Sequence, residues 1–512
     1  MTRRLTKAAS PTVEIDGRSL HAVSVTAVAR HGAKVVVSAA GRDRLEASWR
    51  RAARVAAGGA LVYGRTTGVG AKLLEPVPAG EGRHHSLAIL RSHAAGVGRV
   101  LGIAEVRALL LVRANQLLVG GSGIDPAVVD AILAALESGA TPVVHELGGI
   151  GTGDLTAMAE VGLALAGEGA WLEGSAPPDA VEFGAGDGLA LMSSNACTLG
   201  RAALLAVDAD RVLRSVDAVV GLSVLACRGS LATFDPRVHA ARPLGGPSVS
   251  AQRVRAIVGE DAPGVGARLQ DPYGLRCAPQ LDGAALGALD RLVDSLELDM
   301  NAATENPLIA GGDLARPPSG ADAGGGAGAL DVALPNGNFL LSELAGALDH
   351  LRNALAGVGL GSLARLSLVC DPAITGVTRF LTDGTPGASG VMILEYTAQA
   401  AMDRLRLAAT STSCWPVTVS AGIESLASHA PLGVEQLGDA IEALSVVVGA
   451  ELVANVRAIG LQRVVPDSPA GRAALERVRA ALSSELADRP LGEDVTAAAS
   501  LVSSDLTDEA RR

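Results

Sequence analysis

The stretch "QDPYGLRCAPQ", residues 270–280, crowds Gln270, Asp271, Tyr273, Arg276 and Gln280 between and beside two prolines. Proline fixes φ, so the polar groups around Pro272 and Pro279 are held in place rather than loosely tethered. An arginine in such a turn is suited to a two-pronged grip on a carboxylate. The competing reading is an Arg–Asp pair that merely braces the loop. The chain has only three tyrosines, and Tyr273 is one of them. Tyr63 lies in "VYGRTTGVG" (62–70), and Tyr396 lies on an expected helix in "ILEYTAQAA" (393–401). A loop tyrosine hemmed by Gly64, Gly68 and Gly70 is free to reach a ligand. A phenol titrates near pH 10 when unperturbed, so in a prepared site it can serve as acid or base. Packing as an amphipathic plug is the plainer alternative.

Around these loops the sequence is that of a helical protein. It has 512 residues, of which 48 % are apolar and only 2 % aromatic. That is enough apolar material for a large core built of Leu, Val and Ala. Length alone suits about three domains or one large interlocked helical unit. A helical grammar is explicit at 125–139. Asp125 caps, Pro126 takes the first turn, Val128, Val129, Ile132 and Leu136 form one face, and Gly139 ends the helix. Similar patterns run through 102–119, 188–227, 283–300, 338–369, 389–410, 433–459 and 470–487. Several exceed the average helix of about 11–12 residues two- or threefold, which predicts a bundle of long helices. Residues 12–38 alternate enough to predict a short hairpin or two. The composition of 307–333 predicts a flexible loop. The division expected is an N-terminal domain (1–190), with the Tyr63 loop and the 148–155 segment, and a long-helix bundle with a C-terminal helical layer (191–512).

Several functions are disfavoured. The net charge of −11 argues against a nucleic-acid partner, which needs a basic face. The five cysteines are dispersed without a CxxC pair, as expected of reduced thiols in the cytoplasm. The N-terminus lacks the apolar stretch of a signal peptide, and no run reads as a membrane span. The nine histidines show no metal-binding spacing, so no metal is expected. His93, in "LRSHAAGVG" (90–98), is a candidate ligand contact, although a lone histidine is more often structural.

Taken in order, these segments resemble the histidine/phenylalanine ammonia-lyase and aminomutase family. The carriers are "YGRTTGVG" (63–70), "LRSHAAGVG" (90–98), "RANQLLVGGSG" (113–123), "DGLALMSSN" (187–195), "QDPYGLRCAPQ" (270–280), "NAATENP" (301–307), "GNF" (337–339) and, more weakly, "SAGIESLAS" (420–428). The resemblance covers about residues 10–460. It implies a mainly α-helical homotetramer whose active sites draw on three chains and act on a small molecule. It also implies that Tyr63 removes a proton and Arg276 holds a carboxylate, with Tyr273 catalytic beside them. His93, Ser193, Asn195, Gln280, Asn306, Phe339 and Glu424 are then the expected substrate contacts.

The family's electrophile, methylidene-imidazolone, forms from an Ala-Ser-Gly tripeptide just before Asp-Leu. Here that place reads "GGIGTGDL" (148–155), one residue short, with Thr152 between Gly151 and Gly153. The shortened loop must still bend back for cyclisation, and threonine is stiff at χ1. The expectation is therefore an enzyme of this fold without the prosthetic group. It would use Tyr63 in acid–base chemistry on a small carboxylate or acyl compound, by elimination, addition, cyclisation or hydrolysis. Thr152 would act as a hydrogen-bonding group or helix cap near an anion-binding helix start. Two alternatives stay open: an ammonia-lyase or aminomutase with a variant group built from Gly151-Thr152-Gly153, and a non-catalytic partner subunit. Ser193 for Asn, Thr66 for Asn and Leu340 for His are further departures from the family pattern.

Overall fold

The computed structural model describes residues 5, 11–59, 61–260, 266, 268–311 and 331–507. Most of the expected 307–333 loop lies outside the described residues. The helices that build the site and its support are α1 (Gly82–His93), α2 (Ile103–Leu117), α3 (Leu155–Leu165), α4 (Ala196–Ala226), α5 (Gly245–Val258), α6 (Ala278–Met300), α7 (Ser342–Val369), α8 (Leu394–Ala408) and α9 (Ala430–Gln462). The bundle is formed by α4, α6, α7 and α9, with α5 and α8 against its sides. Helix α4 is buried almost all round, as its continuous Ala/Val/Leu sequence requires. Pro431 sits in the first turn of α9, where its missing N–H costs nothing.

Two expectations about local structure are corrected. Residues 12–38 do not form a hairpin: Thr12–Ile15 pairs in parallel with Lys34–Val37, and the helix Ala22–His31 crosses between them. Alternation reveals a strand but not its partner's direction, and parallel pairing needs such a crossover. The helix expected over 188–227 is broken. It runs Asp187–Met192 and then Ala196–Ala226; at the break Asn195 takes the N-cap position and Ser194 Oγ accepts the Ala196 N–H at 2.9 Å.

The apolar stretches Asp187–Ala226, broken at 193–195, and Ala430–Gln462 are long and apolar enough to cross a bilayer by length and composition, but 94 % and 72 % of their most apolar windows are buried within the protein. They are core helices here.

Buried polar groups fix how the layers meet. Arg113 of α2 is fully buried. It pairs with Glu305 at 3.2 Å and donates to the Leu191 carbonyl at 3.1 Å and to that of Ala190. This pins the 187–195 segment against α2. Asp282 of α6 is different, since among the described residues neither carboxylate oxygen has a hydrogen-bond partner. It faces Arg365 of α7, Asp217 of α4 and Glu451 of α9, and burial pushes its carboxyl well above the usual range. An unpartnered carboxyl in that setting folds as the neutral acid.

The folded chain thus binds the Asp282 proton more tightly than the unfolded chain. Stability then falls as pH rises from the ordinary carboxylate value of 3.8 through the raised folded one. Asp282→Asn removes this loss. Its denaturation midpoint in urea is expected to exceed that of the native chain near pH 8 and to approach it near pH 4.

Candidate active site

A cavity of about 1290 Å³ opens where α1, the start of α3 and the loops at 61–78 and 420–424 meet. Tyr63, His93, Thr152, Ser193, Asn306, Phe339 and Glu424 all line it. Residues more than 300 positions apart in sequence are thus brought to one wall.

Tyr63 is half-buried. Its hydroxyl oxygen accepts the Gly70 N–H at 2.7 Å. The Tyr63 loop closes on the 420–424 loop at this point, since a side chain on Gly70 would stand 2.9 Å from Ser420 Oγ and Gly70 has φ +56°. Burial pushes the Tyr63 phenol above its ordinary value, the Gly70 N–H pulls it down, and the Glu424 carboxylate adds to the rise. At neutral pH the hydroxyl therefore rests protonated, with a donor already aimed at its oxygen.

The loop before α3 is tied at both ends. Ser428 donates to the Gly151 carbonyl from its hydroxyl at 3.1 Å and from its N–H at 3.3 Å, and the His429 N–H reaches the Ile150 carbonyl at 3.0 Å. At the far end the Asp154 N–H donates to Ser194 O at 2.7 Å. The Asp154 carboxylate accepts from the Thr198 N–H and hydroxyl at 2.7 and 2.8 Å. Asp154, not Thr152, occupies the N-cap position of α3, so Thr152 is not the helix cap. Gly151 and Gly153 have φ of +92° and +111°, which turns the short loop so that Thr152 and Gly153 border the cavity. A Cβ on Gly151 would lie 2.2 Å from Ser428 Oγ and 2.8 Å from the His429 nitrogen. No other residue fits without moving the loop.

His93 Nδ1 sits 2.8 Å from the Ile89 carbonyl. A carbonyl only accepts, so Nδ1 is the donor there, and Ser92 Oγ lies 3.0 Å from the same nitrogen. Ser193 Oγ accepts the Asn306 N–H at 2.8 Å. Asn195 is buried behind the wall, its amide donating to the Phe339 carbonyl at 2.7 Å. These bonds tie the 187–195, 301–307 and 337–339 segments together. Sequence reasoning missed Ser428, Ser194 and Thr198, the residues that hold the loop. Ser428 closes the 420–428 segment, but nothing in its neighbours signals a partner 277 residues away.

Tyr273, Arg276 and Gln280 do not line this cavity. Tyr273–Arg276 forms a short helical turn in which Tyr273 is 72 % exposed. The Arg276 guanidinium lies 4.8 Å from the Tyr273 ring centre and donates to Gln270 Oε1 at 3.0 Å. Asp271 does not brace it, since Arg268 holds that carboxylate at 2.8 Å. Among the described residues Arg276 has no carboxylate partner.

A tyrosine-walled cavity at a helix start, set in a bundle of long helices, is the arrangement of the ammonia-lyase fold. The family model described as aromatic amino acid lyase matches residues 20–480. A probable histidine ammonia-lyase of Halobacterium salinarum is 35 % identical over 97 % of each chain. The histidine ammonia-lyase of Sorangium cellulosum is 32 % identical over 95 % of this chain and 96 % of its own. Among solved structures, histidine ammonia-lyase from Trypanosoma cruzi superposes with a TM-score of 0.84 at 25 % identity, covering 98 % of this chain and 96 % of that one. Ergothionase from Treponema denticola shares the fold, with a TM-score of 0.89 at 23 % identity over 97 % of this chain and all of the other. The chain belongs to the aromatic amino acid lyase family and is a lyase-class enzyme of mainly α fold.

The tied loop makes a local prediction. Gly151→Ala adds a carbon against Ser428 at a positive φ and is expected to cost about 1–3 kcal/mol of stability. Gly149→Ala, whose new carbon meets nothing nearer than 3.4 Å, is expected to change stability little. Thermal denaturation of the two variants side by side checks the contrast.

Proposed function

We propose that this enzyme works without the methylidene-imidazolone group of its family. The residues present do not fit it. The alanine of the family tripeptide has no room at Gly151, and the loop is one residue short. The Gly151 carbonyl, whose oxygen ring closure would expel as water, is the acceptor that ties the loop to Ser428. The peptide at 151–153 is read instead as an ordinary wall of the site.

In this reading Tyr63 carries the proton chemistry. Its hydroxyl gives a proton in the resting state. It takes one when a positive group nearby lowers its pKa, with the Gly70 N–H stabilising the phenolate. Arg276 supplies that charge and grips the substrate carboxylate. It comes from a neighbouring copy, because within one chain it stands away from the cavity, with no carboxylate partner among the described residues. The assembly proposed is a homotetramer with shared sites. The first amides of α3, beside Thr152 and Gly153, face charge developing on a substrate oxygen. His93 Nε2 accepts a hydrogen bond from the substrate's polar end, and Glu424 stands by Tyr63. The substrate class is a small carboxylate or acyl compound. The reaction is elimination, addition, cyclisation or hydrolysis, and the histidine ammonia-lyase relatives put elimination first. The observation that carries this is the Tyr63 oxygen, held by Gly70 at 2.7 Å on the same cavity as the Thr152–Gly153 turn.

Turnover of L-histidine and of a panel of amino, hydroxy and betaine acids, followed by absorbance of the new double bond, identifies a substrate. On it, Tyr63→Phe is expected to lower kcat by about 10²–10⁴. Mixing inactive Tyr63→Phe and Arg276→Gln subunits is expected to restore part of the activity, because some mixed sites receive both native residues. Full activity of Tyr63→Phe refutes the acid–base role, and no recovery on mixing refutes the shared site.

A further inference from the structure

The exposed Tyr273–Arg276 turn is held from beneath by a buried ion pair that the chemistry above does not use. Arg365 of α7 and Glu451 of α9 are both wholly inaccessible to solvent. Arg365 Nε and Nη2 donate to the two Glu451 oxygens at 2.6 and 3.0 Å. The hydroxyls of Ser223 and Ser362 donate to the same carboxylate. Glu451 is therefore saturated, and the pair holds the guanidinium in one orientation. The remaining nitrogen, Nη1, points at the turn and donates to the Gly274 carbonyl at 3.4 Å.

Gly274 is pressed onto α7 at that point. A Cβ there would stand 3.1 Å from Ala364 Cβ and 3.3 Å from the Arg365 nitrogen. A side chain at 274 would therefore force the turn or α7 to give by a few tenths of an ångström. From the other side, Asp271 accepts the Ser230 N–H at 2.6 Å. Arg268, which holds Asp271, also donates to the Cys227 carbonyl at 2.7 Å.

We infer that Arg365, clamped by Glu451, is the positioning residue for the Tyr273–Arg276 turn, fixing where those two side chains stand through the Gly274 carbonyl. This rests on the reading that Tyr273 and Arg276 complete a neighbouring copy's site. Only arginine meets the need: its planar fork satisfies Glu451 with two nitrogens and keeps a third in fixed direction. A lysine ammonium keeps the charge without the fork.

Hydrogen–deuterium exchange tests this without a substrate. The reporters are the Leu275, Arg276 and Cys277 amides, which close the turn on Pro272 and Tyr273 at 3.1, 3.0 and 2.9 Å. In Arg365→Lys, exchange at these amides is expected to rise about tenfold while α4 and α9 keep native protection. Gly274→Ala leaves the ion pair intact and lifts the turn. It is expected to speed the same amides about threefold, and it decides the matter if the lysine variant does not fold. Native exchange at 275–277 in either folded variant overturns the proposal, as does a rise spread evenly over the bundle. With a substrate in hand, Arg365→Lys should raise KM more than it lowers kcat, in parallel with Arg276→Gln. Faster exchange with unchanged kinetics in both Arg276→Gln and Arg365→Lys would refute the catalytic reading of the turn. Unchanged kinetics in Arg365→Lys alone would refute its positioning role.

Discussion

The Gly151 carbonyl held by Ser428 is the constraint on which the site depends. It joins the loop before α3 to the segment that enters α9. The 420–424 loop, which carries Glu424, lies just upstream of Ser428 and closes on Gly70 beneath the Tyr63 hydroxyl. One short contact therefore registers three walls of the cavity. The glycine is forced twice, by its positive φ and by the lack of space for a side chain. A loop with those two demands at 151 cannot also present the alanine from which the family builds its electrophile.

The bundle supplies rigidity by burying charge in pairs that reach across elements. Arg113 spends its donors on Glu305 and on the carbonyls that end the 187–192 helix. Arg365 spends its donors on Glu451 and the Tyr273 turn. Each arginine bridges a long helix and a short functional segment, where apolar packing alone would leave the segment free to slide. Removing one partner of such a pair costs about 3–5 kcal/mol, because the other charge is stranded. Asp282 is the exception, a carboxyl with no donor among the described residues, kept neutral by its surroundings.

Much of this was legible in the sequence, and what was not has a physical reason. The helical runs were plain because a 3.6-residue apolar period survives any tertiary context, and the Tyr63, His93, Asn306, Phe339 and Glu424 segments do meet at one cavity. The direction of strand pairing at 12–37 was hidden, because alternation is the same in either sense. The break at 193–195 was hidden because Ser194 takes up the first amide of the next helix with its own side chain within an otherwise helical pattern. The Ser428 tie was illegible because it is non-local and uses a residue type common at any helix entry. Tyr273 and Arg276 were expected beside Tyr63, yet within the chain they stand on a separate turn and do not line the Tyr63 cavity.

The central claim is that residues 151–153 remain an ordinary peptide, leaving Tyr63 to work without a built-in electrophile. Intact-protein mass spectrometry of the purified native chain tests it most directly. The account predicts the mass encoded by the sequence, allowing only for removal of the initiator methionine. A mass lower by two waters, mapped to a peptide containing Gly151-Thr152-Gly153, would contradict it.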